Sequence, residues 1–166
     1  WHESLMNCRR YLAAIGRYRS GADPMQVVSG PVHKPKIHFE APPASAVPAG
    51  IKRFMRWFAD TTPTGKTPLP ILTRAGIAHL YFVSIHPFED GNGRIGRAIA
   101  EKVISEGLGH AVLTALSRVI NRGRKAYYGM LERSNKGVEI TDWLVYFAGI
   151  VLEAQAQAQA LVDFLI

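Results

Sequence analysis

Apolar residues recur along this chain at two periods, and the change from one to the other divides it. Leu5, Cys8, Leu12 and Ile15 fall three or four residues apart, which predicts an amphipathic helix over residues 1–15 that Gly16 stops. Residues 26–39 change character. The β-prone runs Val27-Val28 and Ile37-His38-Phe39 surround Gly30-Pro31 and Pro35, and Ala41-Pro42-Pro43 closes the segment, so a hairpin is predicted. Two strands alone are marginal in water, so this hairpin must lean on the helices or await a partner strand. After Pro48, the spacing of Ile51, Met55 and Phe58 predicts a second helix, with Lys52, Arg53 and Arg56 toward solvent and a Pro/Thr-rich loop over residues 61–70 behind it. Residues 71–85 are apolar on nearly every face and too long for an ordinary strand, which predicts a central buried helix. A further helix is expected over residues 92–106, ended by Gly107 and Gly109, and one or two more over residues 113–134, broken near Gly123. Thr141 reads as the N-cap of a last, long helix with Leu144, Phe147, Ala148, Val151 and Leu152 on one face, extended by the Ala-Gln alternation at 154–160. The fold class is therefore all-α with one β-hairpin.

Composition narrows the setting. At 166 residues the chain fits one domain, and 48% hydrophobic against 20% charged residues excludes a disordered chain. Stretches without Asp, Glu, Lys or Arg, such as residues 75–88 and 143–152, are all shorter than the roughly 20 apolar residues a bilayer span needs, so no membrane span is expected. Twenty Lys and Arg against 13 Asp and Glu give +7, which suits nucleotide phosphates, nucleic acid or an acidic protein as partner. The single Cys8 cannot form an intramolecular disulfide and no basic, apolar leader opens the sequence, so a reducing, cytoplasmic setting is the expectation. Trp1 at the start and the apolar run 161–166 at the end lead us to expect a fragment excised from a longer protein.

The chemistry concentrates in His86-Pro87-Phe88-Glu89-Asp90-Gly91-Asn92-Gly93-Arg94-Ile95-Gly96-Arg97. Pro87 disfavours helical geometry at His86, so the central helix should end there and present an imidazole at its tip, where it can act as a base near neutral pH. Gly91 and Gly93 let the backbone approach a ligand closely, and the amides opening the next helix point outward to bind an anion. Asp90 is a hard oxygen ligand of the kind Mg²⁺ takes when phosphates complete its shell. Arg94 and Arg97, three apart, fall on one helix face and can clamp phosphate oxygens. Base, metal ligand and anion site thus lie together.

All nine defined positions of this string match the H-P-F-x-D-G-N-G-R-x-x-R signature of the Fic-domain enzymes, which transfer AMP from ATP to protein hydroxyls. Residues 16–19, 39–43 and 117–131 with Tyr127-Tyr128 are similar to that family's other landmarks. The resemblance implies a Fic-like helical bundle over residues 1–166, with residues 26–39 as its flap and 86–97 as its motif. It implies that His86 deprotonates the target hydroxyl and that Asp90 holds Mg²⁺ across the α- and β-phosphates of ATP. Gly91, Asn92 and Gly93 would line the anion hole, Arg94 would hold phosphate oxygens, and Arg97 would bind the γ-phosphate. Ile37, His38 and Phe39 would dock an extended segment of the target protein through strand-like main-chain bonds. Gly93 is unlike the lysine of the phosphate-transferring relatives, which favours AMP transfer; removal of AMP or transfer of another nucleotide are the alternatives at the same site. Many relatives are restrained by a helix bearing S/T-x-x-x-E-G/N. Glu106-Gly107 has Lys102 where Ser or Thr should stand, so such an inhibitory helix would lie in a missing flank, in a partner protein, or nowhere.

Blander readings stand beside these. Arg97 could pair with Glu101 one turn on, His79 could be a satisfied core histidine, and Trp1, Trp57 and Trp143 read as packing residues. Gly91-x-Gly93-x-x-Gly96 also fits the dinucleotide fingerprint, which would require a strand before it and a βαβ unit around it. Arg118, Arg122, Arg124 and Lys125 beside Tyr127 and Tyr128 could form a basic nucleic-acid-binding module, although the same residues serve as solvated helix faces.

Overall fold

Pro70 opens and His86 closes the helix around which the rest of the chain is built. In the computed structural model, which describes residues 2–6, 12, 14–31, 33–111 and 115–165, this helix is α3 (Ile71–Ile85), preceded by α1 (His2–Met6), β1 (Gln26–Ser29), β2 (Lys36–Glu40) and α2 (Val47–Asp60). It is followed by α4 (Asn92–Leu108), α5 (Leu116–Arg122), α6 (Arg124–Ser134) and α7 (Thr141–Leu165). Trp1, Cys8 and Leu113, to which the sequence pattern assigned positions, lie outside the described residues.

Ala75, Ala78, Leu80, Phe82, Val83 and Ile85 of α3 are all buried, together with His79 and Arg74, which is why no polar stripe marks that helix. Burial of the Arg74 charge is compensated by three acceptors: Nη2 donates to the Phe58 carbonyl at 2.9 Å, Nε to Thr61 Oγ1 at 3.2 Å, and Nη1 to Glu106 Oε2 at 3.3 Å. Helix α4 crosses α3 at Gly96, where a Cβ would stand 2.9 Å from Val83 Cγ1, so only glycine permits the approach. On another side α7 inserts the fully buried Trp143, whose Nε1–H donates to the Gly76 carbonyl at 2.9 Å.

The predicted helices from α2 onward are present, whereas the first, expected over residues 1–15, is described as helix only over His2–Met6, and residues 12, 14 and 15 are not helical; several helices also bury a different face from the one their spacing suggested. In α2, Met55 is 57% exposed and Phe54 is buried, because Phe54 meets Tyr81 and Phe82 edge-on and burying an aromatic ring removes more apolar area than burying a methionine. In α7, Leu152 is exposed while Trp143, Ile150 and Ala154 face the core. In α1, Leu5 is exposed and His2 and Met6 are buried. At the start of α7 the Glu139 carboxylate accepts the Thr141 N–H at 2.7 Å, and this contact together with the Thr141 side chain holds the Glu139 carboxyl below the usual range.

The hairpin pairs Gln26 with Glu40, Val27 with Phe39, Val28 with Ile37 and Ser29 with Lys36. A register shift between Val27 and Val28 makes His38 the extra residue of a bulge. No third strand joins it among the described residues. It leans instead on α6, where His38 Nδ1 lies 3.2 Å from Glu132 Oε2 and the His38 ring faces Tyr128. Among the described residues no helix is long and apolar enough to cross a membrane.

Candidate active site

His86 stands where α3 can no longer continue. Pro87 forces it out of the helical region, and it takes φ 50° and ψ 58°, the one non-glycine residue with positive φ among those described. Its ring Nδ1 lies 3.3 Å from the Val83 carbonyl oxygen. A carbonyl can only accept, so Nδ1 carries the proton and the Nε2 lone pair is left to act as base. Burial pushes the His86 pKa down to about 4; the Val83 contact opposes this, and the Arg19 charge adds to it.

Between His86 and α4 the chain makes a tight bend. Gly91 closes it with φ 86°, a left-handed conformation that a side chain resists. Asn92 is buried and ties the bend together, its Oδ1 accepting the Phe88 N–H at 2.9 Å and its Nδ2 donating to the Phe88 carbonyl at 2.8 Å. Its side chain is thus committed to the loop, and only its main chain is available to an anion. The first helical bond of α4 runs from Ile95 N–H to the Gly91 carbonyl at 2.9 Å, so the amides of Asn92, Gly93 and Arg94 have no acceptor inside the helix. A Cβ on Gly93 would meet only the end of the Arg97 side chain, Nη1 at 3.4 Å, which is about ordinary contact.

Asp90 accepts the Gly91 N–H at 2.5 Å through Oδ1 and an Arg94 N–H at 3.1 Å through Oδ2. Among the described residues no three His, Cys, Asp or Glu side chains cluster as a metal cage. A single carboxylate, 40% exposed and beside a helix mouth whose first amides have no acceptor in the helix, fits Mg²⁺ that takes its remaining ligands from phosphates and water, which is that ion's usual mode. It does not fit a metal held by protein alone.

These groups open on a cavity of about 860 Å³, of a size for a nucleotide. His86, Asp90, Gly91, Asn92, Gly93, Arg94 and Arg97 line one side, Val27, Val28, His38 and Phe39 of the hairpin another, and Asn121, Arg124, Tyr127, Tyr128, Leu131 and Asn135 a third. The Phe39 ring lies 5.9 Å from the His86 ring. Ile37, by contrast, is 49% exposed and lies outside the cavity wall. Arg97 reaches across to α5, its Nε donating to Ser117 Oγ at 2.9 Å. Lys136, and after it His38, hold the Glu132 carboxyl down to about 2 at the cavity edge.

The dinucleotide reading fails here because the segment before Gly91 is the helix α3 and not a strand. Tyr127 is buried and Tyr128 partly so in the cavity wall, so Tyr127 does not offer the exposed stacking face the nucleic-acid reading would need, while Arg118, Arg122, Arg124 and Lys125 are exposed. Sequence reasoning missed Arg19, His2, Ser117, Asn121, Leu131 and Asn135. None carries a motif spacing of its own, since they reach the site or its loop from α1, α5, α6 and the segments between elements. The available signal was the family resemblance of residues 16–19 and 117–131, which contain Arg19, Ser117, Asn121 and Leu131 without giving any of them a role.

A sequence model described as the Fic/DOC family matches residues 1–104. A probable protein adenylyltransferase of Aquifex aeolicus is 29% identical over 99 residues, which are 60% of this chain and 27% of that protein. The chain thus spans about a quarter of that relative's length. Among solved structures, a Fic family protein from Desulfovibrio desulfuricans superposes with TM-score 0.75 and 27% identity, covering 96% of this chain and 45% of that one. A Fic domain containing signaling protein from Bacteroides thetaiotaomicron superposes with TM-score 0.66 over 89% of this chain and 55% of that one; at 19% identity it speaks to the fold alone.

Proposed function

The chain belongs to the Fic/DOC family, and from that premise we propose that it transfers AMP from ATP to a hydroxyl side chain of a target protein. The observation that carries the reading is His86, a neutral imidazole with Nδ1–H anchored on the Val83 carbonyl, set in the wall of the same cavity as Asp90, Arg94 and Arg97. The hydroxyl oxygen attacks the α-phosphorus. The bond from that phosphorus to the α,β-bridging oxygen breaks, pyrophosphate leaves, and the hydroxyl proton passes to Nε2 of His86. Although the His86 pKa is low in the free protein, the negative charge of a bound triphosphate raises it toward the working pH.

Arg94, Arg97 and the amides opening α4 hold phosphate oxygens and offset the charge that gathers on the leaving group. Mg²⁺ bound to Asp90 and phosphate oxygens would add further charge neutralisation there. An extended target segment docks along the hairpin at Ile37, His38 and Phe39, which puts its hydroxyl near the His86 ring. Incubation with labelled ATP, Mg²⁺ and a cell lysate tests the reaction. Label should pass to protein with the unaltered chain and not with His86→Ala, whose ATP binding stays intact. Equal labelling by the two, or none by either, would overturn the proposal.

A further inference from the structure

Each residue from His86 to Gly91 is touched by the N-terminal segment of the chain. The His86 carbonyl accepts Arg19 Nε–H at 2.6 Å, and the Pro87 carbonyl accepts the Arg19 main-chain N–H at 2.9 Å. The Phe88 ring stacks on the His2 ring at 4.0 Å, and Glu89 Oε2 accepts the Ala14 N–H at 3.3 Å. His2 Nδ1 accepts the Gly16 N–H at 2.9 Å, so its Nε2 carries the proton and donates to the Asp90 carbonyl at 3.2 Å. Gly91 lies against Met6.

Arg19 is the most committed of these partners. It is 5% exposed, and besides its two bonds to His86 and Pro87 its Nη2 donates to the Pro42 carbonyl at 2.5 Å. Pro42 follows the foot of the hairpin, where the Ala41 N–H closes on the Met25 carbonyl at 2.8 Å. One planar guanidinium therefore bridges the backbone of His86 and the backbone below β2. A non-glycine residue stays in the left-handed region only where its surroundings over-determine it, and at His86 the carbonyl is what Arg19 grips.

We propose that Arg19 is the positioning residue of this site, holding His86 in its left-handed conformation and, through Pro42, keeping the base in one frame with the target-docking hairpin. The inference rests on the role given to His86 above. Because the hold depends on a fork reaching two carbonyls, a lysine, which keeps the charge as a single point, does not replace it.

The test compares the full chain with Arg19→Lys and Arg19→Ala in three measurements: the ¹³Cα and ¹³Cβ shifts of His86 by NMR, the affinity for ATP, and kcat with KM for ATP in the transfer assay. The left-handed shift signature of His86 should be lost in both variants. The kcat should fall about 10- to 100-fold, while KM and ATP affinity stay within about twofold, since misplacing a reacting group by an ångström costs about that much. A folded Arg19→Lys variant that keeps the His86 signature, or a kcat within about twofold, overturns the proposal. If Arg19→Ala fails to fold, Arg19→Lys decides; if neither folds, Arg19 is a folding residue and the proposal falls. Absence of transfer by the unaltered chain would remove the proposed reaction, and the NMR signature would still decide whether Arg19 holds His86.

Discussion

His79 and Tyr127 meet inside the bundle at 2.6 Å, imidazole Nε2 against phenol oxygen. His79 is fully buried in α3, stacked on Trp143 and Phe147, and burial lowers its pKa to about 4, so it is a neutral partner. Its Nδ1 faces the Gly96 backbone without reaching a hydrogen bond. Tyr127 belongs to α6 and to the cavity wall, and burial raises its pKa against the pull of the nearby Arg97 charge. The bond therefore ties the buried centre to the wall of the site.

Tyr127→Phe keeps the ring and deletes the hydroxyl, leaving His79 without a partner on either nitrogen. Stability should drop by about 1–3 kcal/mol, the cost of an orphaned buried polar group. Urea denaturation reads it; an unchanged midpoint would mean that the bond contributes nothing.

Acid should weaken the fold before it protonates any carboxylate of ordinary pKa. His79 and His86 titrate at about 4 in the folded chain, against about 6.5 when unfolded, so between these values the unfolded chain binds more protons. Stability is then fully present above about pH 6.5 and is lost as pH falls toward 4, at up to about 1.4 kcal/mol per pH unit for each histidine. Urea midpoints at pH 7.5, 6 and 5 should decline in that order. A flat series would contradict the low pKa values.

Asp90→Ala removes the carboxylate proposed for Mg²⁺ and also releases Arg94 from its ion pair. ATP binding should become insensitive to added Mg²⁺ and AMP transfer should fall by at least about 100-fold, as when a group stabilising transition-state charge is deleted. Calorimetry with and without Mg²⁺ decides it, and an intact Mg²⁺ dependence would take the ion away from Asp90.

Arg97→Ala separates the γ-phosphate from the rest of the nucleotide. If Arg97 holds that group, ATP affinity should fall about tenfold, a charge-assisted hydrogen bond's worth, while ADP affinity changes little. Equal losses for ATP and ADP would place Arg97 elsewhere, with its bond to Ser117 Oγ as a structural tie between α4 and α5.

Local chemistry determined much of this protein on its own. The apolar run of α3 and the Pro87 that ends it, the Gly91 bend, the turn residues of the hairpin and the spacing of Asp90, Arg94 and Arg97 all act within a few residues of where they stand, so their consequences could be read from the sequence. Which face each helix buries was decided by tertiary packing. Phe54 rather than Met55 entered the core, and Leu152 was left exposed while Ile150 and Ala154 were buried, because burial depends on what the facing element supplies and not on spacing alone. The same holds for the site. Arg19 reaching His86, His38 reaching Glu132 and Tyr127 reaching His79 join residues 67, 94 and 48 positions apart. Nothing in the local pattern encodes such distances; they exist only once the helices have packed and brought the hairpin, the loop over residues 86–91 and α6 around one cavity.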